Sequence, residues 1–198
     1  MIKSIEGQFG KPIGILGHLV GAVMTYENRA RNLWAVSLLD IQPSDCVLEI
    51  GFGPGYAIQQ MAKLATTGFV AGVDHSDVMV QQANRRNAAA IQAGQVELKH
   101  GSVAHLLYPN LTFDKAIVIN SLHHWADGRA GLQEIRRVLK PAGLMIVVEQ
   151  PRTAVTEATA AELGTHLMQQ LIECGFQGSH FVIKAMKFIP SVAASGVK

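Results

Sequence analysis

Glu49, Gly51, Gly53, Gly55 and Asp74 have the types and spacing best suited to chemistry in this chain. The apolar run Val47-Leu48-Glu49-Ile50 carries a carboxylate near its end, and glycines follow at alternate positions. Glycines so placed let the backbone turn tightly and let a ligand approach where a Cβ would otherwise stand. The helical run that begins at Tyr56 presents unpaired N–H groups at its start. A strand, a glycine turn and a helix start together form a nucleotide-cofactor pocket. A dinucleotide fingerprint needs a small residue at the sixth position counted from Gly51, and that position is Tyr56. Glu49 would repel a pyrophosphate but suits a cationic cofactor end, such as an amino group. The alternative for Glu49 is a buried strand-end carboxylate bonded to backbone or water.

Further candidates lie at the ends of later apolar runs. Asp74, in Gly72-Val73-Asp74-His75-Ser76, can accept hydrogen bonds from both hydroxyls of a ribose. A helix cap is its alternative, but Ser76 or Asp77 can fill that role. His75 stands beside it, and Met79 could cover an adenine face or pack in the core. Ser102 could bond the adenine edge, with Val103 over its face. Asn120 and Ser121 leave the next strand on the crevice side. His123 and His124 follow as candidates for a base or a substrate contact, with Trp125 beside them. Adjacent histidines point in different directions, and no Cys/His/carboxylate cluster completes a metal site, so none is expected.

Alternating elements must position these residues. Residues 13–39 read as one or two helices, closed near Asp40. Strands are expected at Cys46–Ile50, Phe69–Val73, Val96–Lys99, Lys115–Ile119, Leu144–Val148, Phe181–Phe188 and Val192–Val197. Helices are expected at Ala57–Leu64, Asp77–Ala93, Gly128–Leu139 and Glu157–Cys174. Buried apolar strands separated by helices predict an α/β fold with a parallel, doubly wound sheet. The last two strands are too closely joined for a parallel crossover, which predicts an antiparallel hairpin at one edge.

Composition bounds the function. With 198 residues, 48% apolar and 16% charged, the chain predicts one domain over 1–198 with a sizeable core. A net charge of +2, without a basic cluster interleaved with aromatics, argues against nucleic acid as a partner. Two distant cysteines, Cys46 and Cys174, suit a reducing cytoplasm. No apolar run reaches the ~18 residues of a membrane span, so no stable membrane insertion is expected.

The stretches around Glu49–Gly55, Asp74, Ser102, Asn120–Trp125 and Arg137-Val138-Leu139-Lys140-Pro141-Ala142-Gly143 resemble, in order and spacing, the class I S-adenosylmethionine-dependent methyltransferases. The likeness is strongest to the small-molecule branch that includes the ubiquinone and menaquinone methyltransferases, and runs from about Asp45 to Val148. The resemblance implies a Rossmann-like seven-stranded sheet of order 3-2-1-4-5-7-6 with strand 7 antiparallel. It also implies S-adenosyl-L-methionine as cofactor, with S-adenosyl-L-homocysteine as product. Many relatives carry an acid where this chain has Ser102.

The implied reaction is displacement of an already activated methyl group. Alignment of the acceptor and exclusion of water then supply much of the rate. Where the acceptor must lose a proton, His123 or His124 is the first candidate base. Residues 1–40 are expected to form a helical arm or lid over a small, apolar or aromatic acceptor. That lid would bring Tyr26, Arg29 and Trp34 towards the substrate. Glycines at 14, 17 and 21 could pack this arm against a second subunit in a homodimer. Two alternatives stay open: a non-catalytic protein that binds the same cofactor, and a nicotinamide oxidoreductase, against which Glu49 and Tyr56 both argue.

Overall fold

The computed structural model describes residues 29–151, 156–186 and 189–198. Helix α1 covers residues 29–38. Then follow β1 (Cys46–Ile50), α2 (Tyr56–Leu64), β2 (Phe69–Asp74), α3 (Asp77–Arg86), α4 (Ala88–Gln92), β3 (Val96–His100) and β4 (Phe113–Ile119). After a single 3-10 turn at Leu122–His124 come α5 (Gly128–Val138), β5 (Leu139–Glu149), α6 (Glu157–Glu173), β6 (Gln177–Lys184) and β7 (Ser191–Val197). The strands form one seven-stranded sheet in the order β3-β2-β1-β4-β5-β7-β6. Strands β1 to β5 pair in parallel, and β7 lies antiparallel between β5 and β6. The doubly wound fold, the strand order and the edge hairpin all match expectation.

Strand alternation sorts the core into two layers. Val47, Val70, Ile117, Ile146 and Val148 face Ala35, Val36 and Leu39 beside α2 residues Ile58 and Met61. Leu48, Ala71, Val118, Met145 and Val147 face Leu132 and Ile135 of α5 and Leu167 and Leu171 of α6. The same alternation turns Glu49 and Asp74 towards the α2 face. It turns Glu149, next after Val148, towards the α5–α6 face.

Most boundaries lie within two residues of expectation, and three elements differ by more, each for a physical reason. The helix expected over Asp77–Ala93 is broken at Asn87, whose side-chain amide donates to the Ala83 and Gly55 carbonyls. Asn side chains compete in this way for helical carbonyls. Strand β5 begins at Leu139 instead of Leu144. Lys140–Gly143 bulge out of register opposite β4, while Ala142 and Gly143 exchange hydrogen bonds with Lys198. Strand β6 ends at Lys184 and starts at Gln177, where a positive φ at Gly178 lets pairing with β7 begin just beyond the end of α6.

The basic cluster at the end of α5 is architectural. Arg137 donates to the carbonyls of Leu106 and Tyr108 and to Asn110, bracing the long connection between β3 and β4. Lys140 pairs with Asp114 at 2.8 Å. Among the described residues, no helix is long and apolar enough to cross a membrane.

Candidate active site

The site is built at the carboxyl ends of the parallel strands, where loops of neighbouring strands share a crevice. Its centre is the turn from β1 to α2. Gly51, Gly53 and Gly55 have φ values of 73°, 53° and 76°, in the left-handed region that favours glycine. Their surroundings differ. A Cβ on Gly51 would stand 2.0 Å from Ser121 Oγ, and one on Gly55 would stand 2.6 Å from Ala83 Cβ. A Cβ on Gly53 would meet nothing within 4 Å. Two glycines therefore serve internal packing, and Gly53 faces open space.

Two carboxylates line that space. Asp74 accepts from the Gly53 N–H and the Ser76 N–H, each at 2.9 Å, and is 5% exposed. Its remaining lone pairs are available to hydroxyl donors. Burial raises the pKa of Asp74, against the opposing effect of the Ser76 and Gly53 N–H groups and of His75 and His100. Glu49 is 2% exposed, and its Oε2 has no hydrogen-bond partner. Burial, reinforced by the neighbouring Asp74 charge, pushes the Glu49 carboxyl up to about 8. Side-chain alternation brings these two acids together, and their shared field favours a cation between them.

The third wall is the turn after β4. Asn120 adopts φ 49°, and its buried Oδ1 has no partner. Ser121 accepts from Trp125 Nε1 at 3.1 Å, while Trp125 packs over Gly131 of α5. His123 Nδ1 lies 2.6 Å from Glu149 Oε2, and Glu149 Oε1 accepts the Leu122 N–H. The His124 ring is tilted against that of His123, 4.0 Å between centroids, and His124 is exposed. A cleft of about 580 Å³ opens beside this turn, against α6.

The remaining candidates are spread around this centre. His75 is half exposed, 3.9 Å from Asp74, and its carbonyl is within 3.0 Å of His100 Nε2. Met79 is buried, 2% exposed, in a helix that Ser76 caps. Ser102 is exposed and accepts from the Ala104 N–H, and Val103 packs against the α5 side of the core. Arg29 donates to the Tyr56 hydroxyl at 3.1 Å, so the start of α1 stands over the start of α2. Trp34 packs half-buried on the α2-side core, which makes it a docking residue of α1. Tyr26 and the glycines at 14, 17 and 21 lie outside the described residues. Among the described residues, no three His, Cys, Asp or Glu side chains gather as a metal site.

Two contributors are absent from the sequence reading. Glu149 follows the expected fifth strand and anchors the β4 turn. It repeats the pattern of Glu49 and Asp74, a carboxylate at the end of an apolar strand, and that pattern is its signal. Asn87 holds the Gly55 carbonyl from α3, and nothing in its local sequence announces a partner so distant along the chain.

Residues 47–143 match the family described as Methyltransferase domain. The chain is 33% identical over 181 residues to the uncharacterized methyltransferase YdaC of Bacillus subtilis (strain 168), covering 91% of this chain and 98% of that protein. It is 25% identical over 123 residues to the ubiquinone/menaquinone biosynthesis C-methyltransferase UbiE of Geotalea daltonii, covering 62% and 52% of the two chains. Among solved structures, a methyltransferase in complex with the Trm112 activator of Haloferax volcanii superposes with a TM-score of 0.72 at 16% identity, over 89% of this chain and 92% of that one. A SAM-dependent methyltransferase from Aquifex aeolicus gives 0.64 at 17% identity, over 79% and 83%. With near full-length similarity to YdaC and the seven-stranded sheet in this order, the chain belongs to the class I methyltransferase family.

Proposed function

We propose that this chain transfers a methyl group from S-adenosyl-L-methionine to a small, apolar or aromatic acceptor by in-line displacement. The observation that carries this reading is the Gly53 cradle: a glycine with φ 53° facing open space, flanked by two buried carboxylates. The residues present fit the cofactor. Glu49 Oε2 and Asn120 Oδ1 are buried acceptors without partners, and an amino group supplies the donors they lack. Asp74 has lone pairs left for ribose hydroxyls. His75, Met79, Ser102 and Val103 border the adjoining ends of β2 and β3 and are assigned to the adenosine side.

When bound, the cofactor supplies a methyl group activated on a sulfonium. The chain's own residues do the rest. Gly51 lets the turn pack on Ser121, Gly53 lets the backbone come close to the cofactor, Glu49 and Asn120 orient the charged end, and the turn from Asn120 to Trp125 borders the acceptor. A pyrophosphate would meet the Glu49 and Asp74 carboxylates instead of bare N–H groups, which disfavours a nicotinamide dinucleotide. Arg29 is assigned to a lid, on the ground that it already stands over Tyr56. The curated relatives include an O-methyltransferase, ubiquinone/menaquinone biosynthesis C-methyltransferases and demethylmenaquinone methyltransferases, so a small-molecule acceptor is the class we assign.

Calorimetric titration with S-adenosylhomocysteine and with NAD tests the cofactor assignment. Uptake of the first and not the second is expected, and the reverse result would sink the reading. Methyl transfer from labelled cofactor into a metabolite extract then separates an enzyme from a binding protein.

A further inference from the structure

The cleft beside the β4 turn faces the α5–α6 side of the sheet, opposite the face that holds Glu49 and Asp74. Its walls are the 3-10 turn, the start of α5, the end of β5 and α6 from Thr159 to Gln170. The turn from Asn120 to Trp125 borders both spaces: Ser121 backs onto Gly51, while His123 and Trp125 line the cleft. Leu122, Trp125, Leu163 and Leu167 give the cleft an apolar interior. At about 580 Å³ it is the size of pockets that enclose one- and two-ring molecules.

Charge narrows the ligand further. Among the described lining residues there is no Lys or Arg, so nothing balances a phosphate or carboxylate. Glu149 has both oxygens engaged, by Leu122 N–H and by His123, and Glu162 is exposed, so neither forms a buried site for an ammonium. A neutral ligand remains. The lining also holds Gln150, Thr159, His166 and Gln170, and the His123–Glu149 pair is the polar device nearest the β4 turn. A carboxylate oxygen accepts, so His123 Nδ1 carries the proton, and in the neutral ring Nε2 keeps a lone pair. That lone pair suits a hydroxyl donor.

We propose that this cleft binds the ring of a neutral hydroxyaromatic acceptor and that His123 takes its hydroxyl proton, with Glu149 as the positioning residue. This rests on the methyl-transfer reading above. The hydroxyl proton passes to His123 Nε2, and the freed oxygen pair forms the new O–C bond. The S–C bond breaks with its pair left on sulfur, which goes from sulfonium to neutral thioether. The imidazolium, held by Glu149, releases its proton to solvent.

The test uses the whole protein saturated with S-adenosylhomocysteine and two coloured probes, 4-nitrophenol and 4-nitro-1-naphthol. Spectral titration reads their binding and the fraction that is ionised when bound. At a pH about one unit below each probe's own pKa, where the free probe is mostly neutral, the wild-type protein should bind at least one probe and deepen its phenolate colour. Leu163→Trp fills the cleft and should weaken probe binding at least tenfold while S-adenosylhomocysteine affinity stays the same. Glu149→Gln presents an amide N–H to Nδ1, which moves the imidazole proton to Nε2. It should keep both affinities within about threefold and lose the colour change. Uptake of S-adenosylhomocysteine without binding of either probe overturns this inference alone. So does equal probe binding by Leu163→Trp, or an unchanged colour in Glu149→Gln. Failure of the wild-type protein to take up S-adenosylhomocysteine overturns the methyl-transfer reading together with it.

Discussion

The backbone N–H of Gly53 donates to the Asp74 carboxylate at 2.9 Å, tying the one glycine of the β1–α2 turn that faces open space to the end of the neighbouring strand. Asp74 thus shapes the cradle before any ligand arrives. Its other oxygen accepts the Ser76 N–H, which fixes the start of α3. A carboxylate that orders a loop and also faces the ligand space should affect folding and binding together.

Asp74→Ala leaves both N–H groups without this partner. Loss of a charged, partly buried hydrogen bond costs about 1–3 kcal/mol. S-adenosylhomocysteine affinity should fall by about that amount, and urea unfolding should show a loss of similar size. Asp74→Asn retains one carbonyl acceptor and should fall between the two. Calorimetry and denaturation on the same samples provide the check, and wild-type affinity in Asp74→Ala would refute the assignment of Asp74 to the cofactor.

The three glycines should respond differently to the same substitution. A side chain at Gly53 carries the left-handed penalty of about 1–2 kcal/mol but meets no neighbour. Gly53→Val should stay folded and lose S-adenosylhomocysteine binding. Gly55→Val adds a clash with Ala83 and the Asn87 amide to the same strain, about 3 kcal/mol in total. It should fail by unfolding first. Thermal melts and calorimetry separate the outcomes, and equal stability of the two variants would contradict the geometry.

Much of this arrangement was legible in the sequence because strand alternation and glycine spacing are local signals. Gly51, Gly53 and Gly55 needed only their positions after an apolar strand. The order of the strands came from family resemblance, and the edge hairpin came from a short connection. What was hidden depends on distant partners. Asn87 breaks a helix to reach Gly55, 32 residues away, and Glu149 reaches His123 across 26. The bulge at Lys140–Gly143 is invisible without Lys198, which pairs with it from the far end of the chain. Met79 and Trp34 show a related limit: their residue types fit a ligand face as well as a core, and sequence alone does not separate the two.

Glu49 should make stability depend on pH. Its carboxyl is raised to about 8 in the folded chain, against 4.5 for an ordinary glutamate. Between those values the native state holds a proton that the unfolded chain has released. Stability therefore falls as pH rises through this window, and the benefit is fully present only below the unfolded value. Glu49→Gln removes the titration, so its urea midpoint should change less than that of the wild-type protein between about pH 5 and about pH 8.5. A bound cation should also expel the proton from Glu49. Calorimetry in buffers of different ionisation enthalpy should then show proton release on cofactor uptake by the wild-type protein and less release in Glu49→Gln. Parallel pH profiles for the two proteins would count against a protonated Glu49.

Asn87 offers a test of the third glycine from the opposite side. It is 3% exposed, and its amide Nδ2 reaches Gly55 O at 3.1 Å and Ala83 O at 2.9 Å. Asn87→Ala withdraws the donor and leaves the Gly55 carbonyl short of a partner, at a cost of about 1–3 kcal/mol. Alanine's better helix propensity returns about 0.5 kcal/mol at the junction of α3 and α4. Asn87→Asp keeps the shape but places carboxylate oxygens against two carbonyls, so it should be less stable than the alanine variant. The expected order in urea is wild type, then Asn87→Ala, then Asn87→Asp, with S-adenosylhomocysteine affinity falling in the same order as the glycine turn loosens. Wild-type stability in Asn87→Asp would mean that the amide does not hold the turn.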